Sequence, residues 1–108
     1  MKHYKLEGKE PRPAVDFADW ALWFDTSNRR VAFTQARSVS VSTVFLGTDQ
    51  ALLPDDPPIL FETKVFGGSL DGEVRRYATW DEAERGHRET VARIERAQAG
   101  TRESRPSV

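Results

Sequence analysis

No cysteine occurs in the chain, which excludes disulfides, thiolate catalysis and thiolate-held zinc or iron–sulfur centres. Histidine is nearly as scarce, with only His3 and His87, too few to build an imidazole metal site by themselves. No apolar run approaches the roughly 20 residues that span a bilayer, and residues 1–13 hold no apolar stretch of signal-peptide kind. A dominant charge is missing too: 16 Lys and Arg stand against 17 Asp and Glu, for a net charge of −1. Residues 1–40 are net +2, residues 41–70 net −3 and residues 71–108 neutral. Without a basic stripe, duplex nucleic acid lacks its electrostatic footprint. These absences point to a soluble, cytoplasmic protein with no metal, no cofactor and no membrane contact.

What is present suffices for one domain. The 108 residues include three Trp, six Phe and two Tyr, enough large side chains to argue against disorder and to supply one core of modest depth. The organisation expected is a single domain over residues 1–98 with a polar, flexible tail over 99–108.

Periodicity sets the elements. Tyr4 and Leu6 alternate with His3, Lys5 and Glu7, a short edge strand, and the prolines of residues 8–13 break it. Phe17, Trp20, Ala21 and Phe24 form one face of a helix over residues 14–27, with Asp16 and Asp19 favourably placed near its N-terminus. Residues 30–36 read as a strand with Val31 and Phe33 on one face. Residues 38–47 alternate Val39, Val41, Thr43 and Phe45 against three serines, then turn apolar on both faces, as a covered central strand does. Residues 59–66 and 73–77 follow as strands, joined through Gly67-Gly68 and Asp71-Gly72. Thr79 and Glu82 make a capping box for a helix whose apolar line runs Trp80, Ala83, His87, Val91, Ile94, to about residue 98. The order β-α-β-β-β-β-α implies an α+β fold: an antiparallel sheet of four to five strands with two helices on one face.

The stretch VSTVFLGTDQ, followed by PPILFETKVFGGSLDGEVRRYATWDEAERGH, resembles a family of small uncharacterised proteins of bacteriophages and prophage-bearing bacteria. The family block runs roughly STVFLGLDH, a variable Gly/Pro loop, PLLFETMVFGG, then DGE…RYSTWEEAEAGH. The likeness covers about half of the chain. The sequence departs from it at Gln50, where the family has His, and at Lys64, where it has Met. The resemblance implies a phage-type accessory protein, a host-defence inhibitor or a virion-associated protein, acting in the host-cell cytoplasm.

Several residue groups invite chemistry. Pro54-Asp55 with Glu62 and Lys64 has the outline of the PD…ExK nucleases, in which two carboxylates hold Mg²⁺ and the lysine serves the attacking water. Glu62 and Lys64 also read as an ordinary charged pair on a strand's solvent side. His87, on the apolar face of the last helix, is expected to donate to a backbone carbonyl, with a general-base role as the alternative. Gly67-Gly68 reads as a turn rather than an anion cradle. Gly86, costly inside a helix, implies a close neighbouring backbone.

The favoured reading is a non-enzymatic protein that binds a macromolecular partner. Its candidate contacts are Trp23 as an aromatic anchor, the basic pairs Arg29-Arg30 and Arg75-Arg76, and the acids Asp49, Asp55 and Asp56. The last three lie in an eleven-residue loop, 48–58, that also holds three prolines and the apolar triplet Ala51-Leu52-Leu53. Partner classes left open are a host or phage protein, a nucleotide sequestered between aromatic and arginine side chains, and a second copy of the chain.

Overall fold

A computed structural model describes residues 2–103. The elements are β1 (Tyr4–Glu7), β2 (Glu10–Pro13), α1 (Phe17–Thr26), β3 (Arg30–Ala36), β4 (Val39–Phe45), β5 (Phe61–Phe66), β6 (Val74–Tyr77) and α2 (Trp80–Glu103). An antiparallel meander β3-β4-β5-β6 carries the fold, and a separate hairpin, β1-β2, stands beside it. This is the expected α+β class, with four strands in the main sheet.

The hairpin corrects the reading of residues 8–13 as a break. Gly8 takes φ 63° in the turn, which glycine does without a Cβ penalty. Pro11 and Pro13 lie opposite Leu6 and Tyr4. These alternate with the Glu7–Glu10 and Lys5–Arg12 pairs, so prolines occupy positions whose missing N–H the ladder does not need. β1 is therefore an edge of its own hairpin and not of the main sheet. Backbone bonds from Tyr4 N to Gly47 O and from Asp49 N to Lys2 O tie it to the chain leaving β4.

α2 covers one face of the meander. Val39, Val41, Thr43 and Phe45 of β4, with Phe61, Thr63 and Val65 of β5, point towards it and are buried. Ala83, His87, Thr90 and Ile94 answer from the helix. α1 adds Trp23 at the Phe45 end of the same face. It otherwise packs on the hairpin, where the Trp20 indole N–H donates to the Tyr4 carbonyl at 2.9 Å. Phe24 and Trp20 sit so close to Gly47 that a Cβ there would touch both. Phe17, expected on the apolar face of α1, is exposed in its first turn.

Other boundaries and contacts also differ from expectation: α1 begins at Phe17 behind its cap Asp16, not at residue 14, and β5 at Phe61, not at residue 59. α2 continues to Glu103, five residues past the end its apolar line marks, while residues 104–108 lie outside the described residues. Gly86 faces the Tyr77 side chain, whose ring a Cβ would overlap; the close neighbour is an aromatic ring and not a backbone. A β-bulge between Arg30 and Ala32 inserts one residue, so Val31 packs with the core while Phe33 faces away from it.

No described helix lies over the second face of the meander. β4 is central, as its double-sided apolar stretch suggests, but Val44 on that face is only half-buried. Phe33, Phe66 and Val74 stand there 46%, 47% and 42% exposed.

Candidate functional site

Strand periodicity divides the two basic pairs. Successive side chains on a strand point to opposite faces, so neighbouring arginines part company. Arg29 precedes β3 and is half-buried: its guanidinium donates to the Phe45 carbonyl at 2.9 Å and lies 3.7 Å from the centre of the Phe24 ring. The Phe45 N–H donates back to the Arg29 carbonyl at 2.8 Å. Burial lowers the Arg29 pKa, and the side chain acts as a clamp between α1 and β4. Arg75 faces α2, pairing with Glu89 at 3.2 Å and approaching the Gly86 carbonyl and the Thr90 hydroxyl. Arg30 and Arg76 instead reach the open face, at its opposite edge strands. Arg30 lies over the Phe33 ring at 4.8 Å, and Arg76 holds Glu62 at 3.0 Å. The four arginines thus do not converge on one anion.

Trp23 does not serve as an exposed anchor. It is half-buried, edge-on to Phe45 with ring centres 5.9 Å apart, because the helix places it over the end of the sheet. The Gly67-Gly68 turn is no anion cradle either: the Gly67 N–H is already donated to the Asp71 carboxylate at 2.6 Å. An open concavity of about 580 Å³ lies beside this turn, between Arg37, Leu70, Ile94 and Gln98.

His87 is buried among hydroxyls, not against a backbone carbonyl. Its Nδ1 lies 2.7 Å from Thr43 Oγ1 and its Nε2 2.9 Å from Thr34 Oγ1. Thr43 and Thr63 hydroxyls are 2.6 Å apart, and the Tyr77 hydroxyl donates to Thr63 at 3.1 Å. One proton assignment satisfies the chain throughout: Tyr77 to Thr63, Thr63 to Thr43, Thr43 to Nδ1, and Nε2–H to Thr34. Burial pushes the imidazole below its ordinary range, which keeps it neutral as this assignment requires. The site is a polar seam that fixes α2 on the sheet.

The nuclease outline does not assemble. Glu62 is engaged by Arg76, Lys64 lies over the Phe66 ring at 5.4 Å, and Asp55 stands out on the exposed loop. Among the described residues no group of three or more His, Cys, Asp or Glu could hold a metal. Nor is any described helix long and apolar enough to cross a membrane.

The loop between β4 and β5 is built from Asp49. Its carboxylate accepts from the N–H of Ala51 at 2.8 Å and of Ile59 at 3.0 Å, and these two bonds lower its pKa. The Gln50 N–H donates to the Ile59 carbonyl at 2.9 Å, so both ends of the loop are pinned together. Beyond this base Leu52 is 96% and Leu53 61% exposed. Asp55 and Asp56 are exposed beside them, and a turn joins the Asp56 N–H to the Leu53 carbonyl. Comparison with family models, with curated proteins and with solved structures yields no match.

Proposed function

We propose that the protein is a non-enzymatic binding module, an accessory protein of phage type, that docks a protein partner through residues 51–58. The observation that carries this reading is the exposure of Leu52 at 96% and Leu53 at 61% on a loop whose base is fastened by Asp49. Two adjacent leucines left in water cost about 1.5–3 kcal/mol each relative to burial. Prolines at 54, 57 and 58 reduce the entropy a loop loses when it orders on a partner. Asp55 and Asp56 add an acidic rim, so the partner offers an apolar pocket edged by basic residues. The core gives no competing catalytic reading, since both nitrogens of its one buried histidine are spent on threonine hydroxyls.

The test replaces residues 51–56 with a Gly/Ser linker of equal length, leaving Asp49 and Ile59 in place. The thermal midpoint should stay within a few degrees of the parent. A photo-crosslinking side chain at position 52 should join the parent chain to one protein in host extract, and the linker variant should no longer compete for that protein. Unfolding of the variant, or undiminished competition, would remove the loop from the interface.

A further inference from the structure

We infer that the open face of the meander is a stacking platform for single-stranded nucleic acid, separate from the 51–58 loop. The face is defined by register. Across the strands run Phe33, Ser42, Lys64 and Val74 in one row, Gln35, Ser40 and Phe66 in the next, and Arg30, Val44, Glu62 and Arg76 in a third. The bulge after Arg30 is what brings Arg30 and Phe33, three apart in sequence, to the same side.

Two features of this face match a nucleotide strand. The first is the aromatic pair: Phe33 and Phe66 are each nearly half exposed, at 46% and 47%. Serines 40 and 42 between them keep the floor low, so a planar base reaches a ring once the flexible cation over it swings aside. The second is charge. Arg30, Lys64 and Arg76 stand against Glu62 alone, which Arg76 already engages, in a chain whose net charge is −1. Each aromatic carries its own cation, Arg30 over Phe33 at 4.8 Å and Lys64 over Phe66 at 5.4 Å. A base that takes the ring face leaves the displaced cation next to the adjoining phosphate.

Geometry selects a strand over a mononucleotide. Phe33 and Phe66 are two strands and two residues apart, about 12 Å on the diagonal from standard sheet spacings. One base does not cover both rings, whereas two bases of one flexible strand do. Duplex is disfavoured because its bases are already stacked on each other, leaving the phenylalanines no faces to cover.

The experiment is fluorescence anisotropy with labelled oligo(dT) and oligo(U) of about 10 nucleotides, alongside a duplex of the same length and free dTMP and UMP. One or both homopolymers should bind, more tightly than duplex or mononucleotide, and the two together show whether DNA or RNA is preferred. Affinity should fall as salt rises from about 50 to 200 mM. Phe33→Ala and Phe66→Ala should each weaken binding by about tenfold or more, with an unchanged thermal midpoint because both rings lie outside the core. Lys64→Glu supplies a second test of the same face should either aromatic variant fold poorly. The inference is overturned if neither homopolymer binds at low salt. Equal binding of duplex or mononucleotide, or undiminished binding by folded variants, overturns it as well. A dimer dissolved by Phe33→Ala and Phe66→Ala would instead assign the face to a second copy of the chain.

Discussion

At the scale of the residue, His87 shows how one side chain couples burial to pH. The unfolded chain takes up a proton on this imidazole at about pH 6.5. The folded chain resists it, since burial holds the folded value lower. Between those two values the unfolded state binds more protons, so stability is fully present above about pH 6.5 and is lost as pH falls below it. Thermal scans of the parent should therefore show a falling midpoint from pH 7.5 to 5.5. His87→Gln should start lower, because Thr34 and Thr43 lose a fitted partner, and should be flatter across that window. A parent midpoint constant over the window would mean that His87 is charged or solvated in the fold. Asp49 and Glu73, both held below the usual carboxylate range by hydrogen bonds, act in a separate window, below about pH 4. The sequence marks His87 as a core residue by its place on the apolar helical line. It does not reveal the hydroxyl partners, because Thr34, Thr43 and Thr63 come from three strands and converge only when the sheet forms.

At the scale of the element, α2 is the best specified by sequence. Thr79 accepts from the Glu82 N–H at 3.1 Å, the cap read from spacing, while the Glu82 carboxylate accepts from the Thr79 hydroxyl at 3.0 Å instead of from its backbone N–H. Thr79→Ala should lower stability by about 1 kcal/mol in a denaturant titration. Trp80→Ala should cost about 2 kcal/mol, less than the roughly 3–5 of a fully buried aromatic. The indole is only half-buried against Phe61, and its buried N–H has no partner among the described residues. Equal small losses would mean that Trp80 contributes no packing. Strands β4 and β5 are as legible, since alternation of apolar and polar residues is a direct record of two faces. The β1-β2 hairpin was not, because prolines read as breaks unless the register that tolerates them is known. The bulge in β3 was invisible for a related reason. Alternation gives a strand's face only where no residue is inserted, and nothing between Arg30 and Phe33 announces the insertion.

At the scale of the whole molecule, stability is unevenly distributed. β4 and β5 are each paired on both sides and buried beneath α2. The hairpin and α1 reach this core at one end only, through Tyr4, Leu6 and Trp23 packed on the cluster around Phe45 and through backbone bonds at Gly47 and Asp49. Amide exchange should follow this split, slowest in β4 and β5, and at least tenfold faster in β1, β2 and α1, which open without the sheet. Equal protection of Lys5, whose pair with Arg12 is a hydrogen-bonded one, and Val41 would show a single cooperative unit. Candidate binding surfaces were less legible than the fold: the loop announced itself through its prolines, acids and leucines, but the partition of the arginine pairs needed the strand register. Asp49 has one further consequence, for how such a protein changes over generations. Because its carboxylate fastens both ends of the loop, residues between Ala51 and Ile59 can be exchanged or lengthened with little effect on the frame. Doubling such a segment costs only about 0.6 kcal/mol in closure entropy. The segment is therefore free to change in sequence and length while every core residue stays in place.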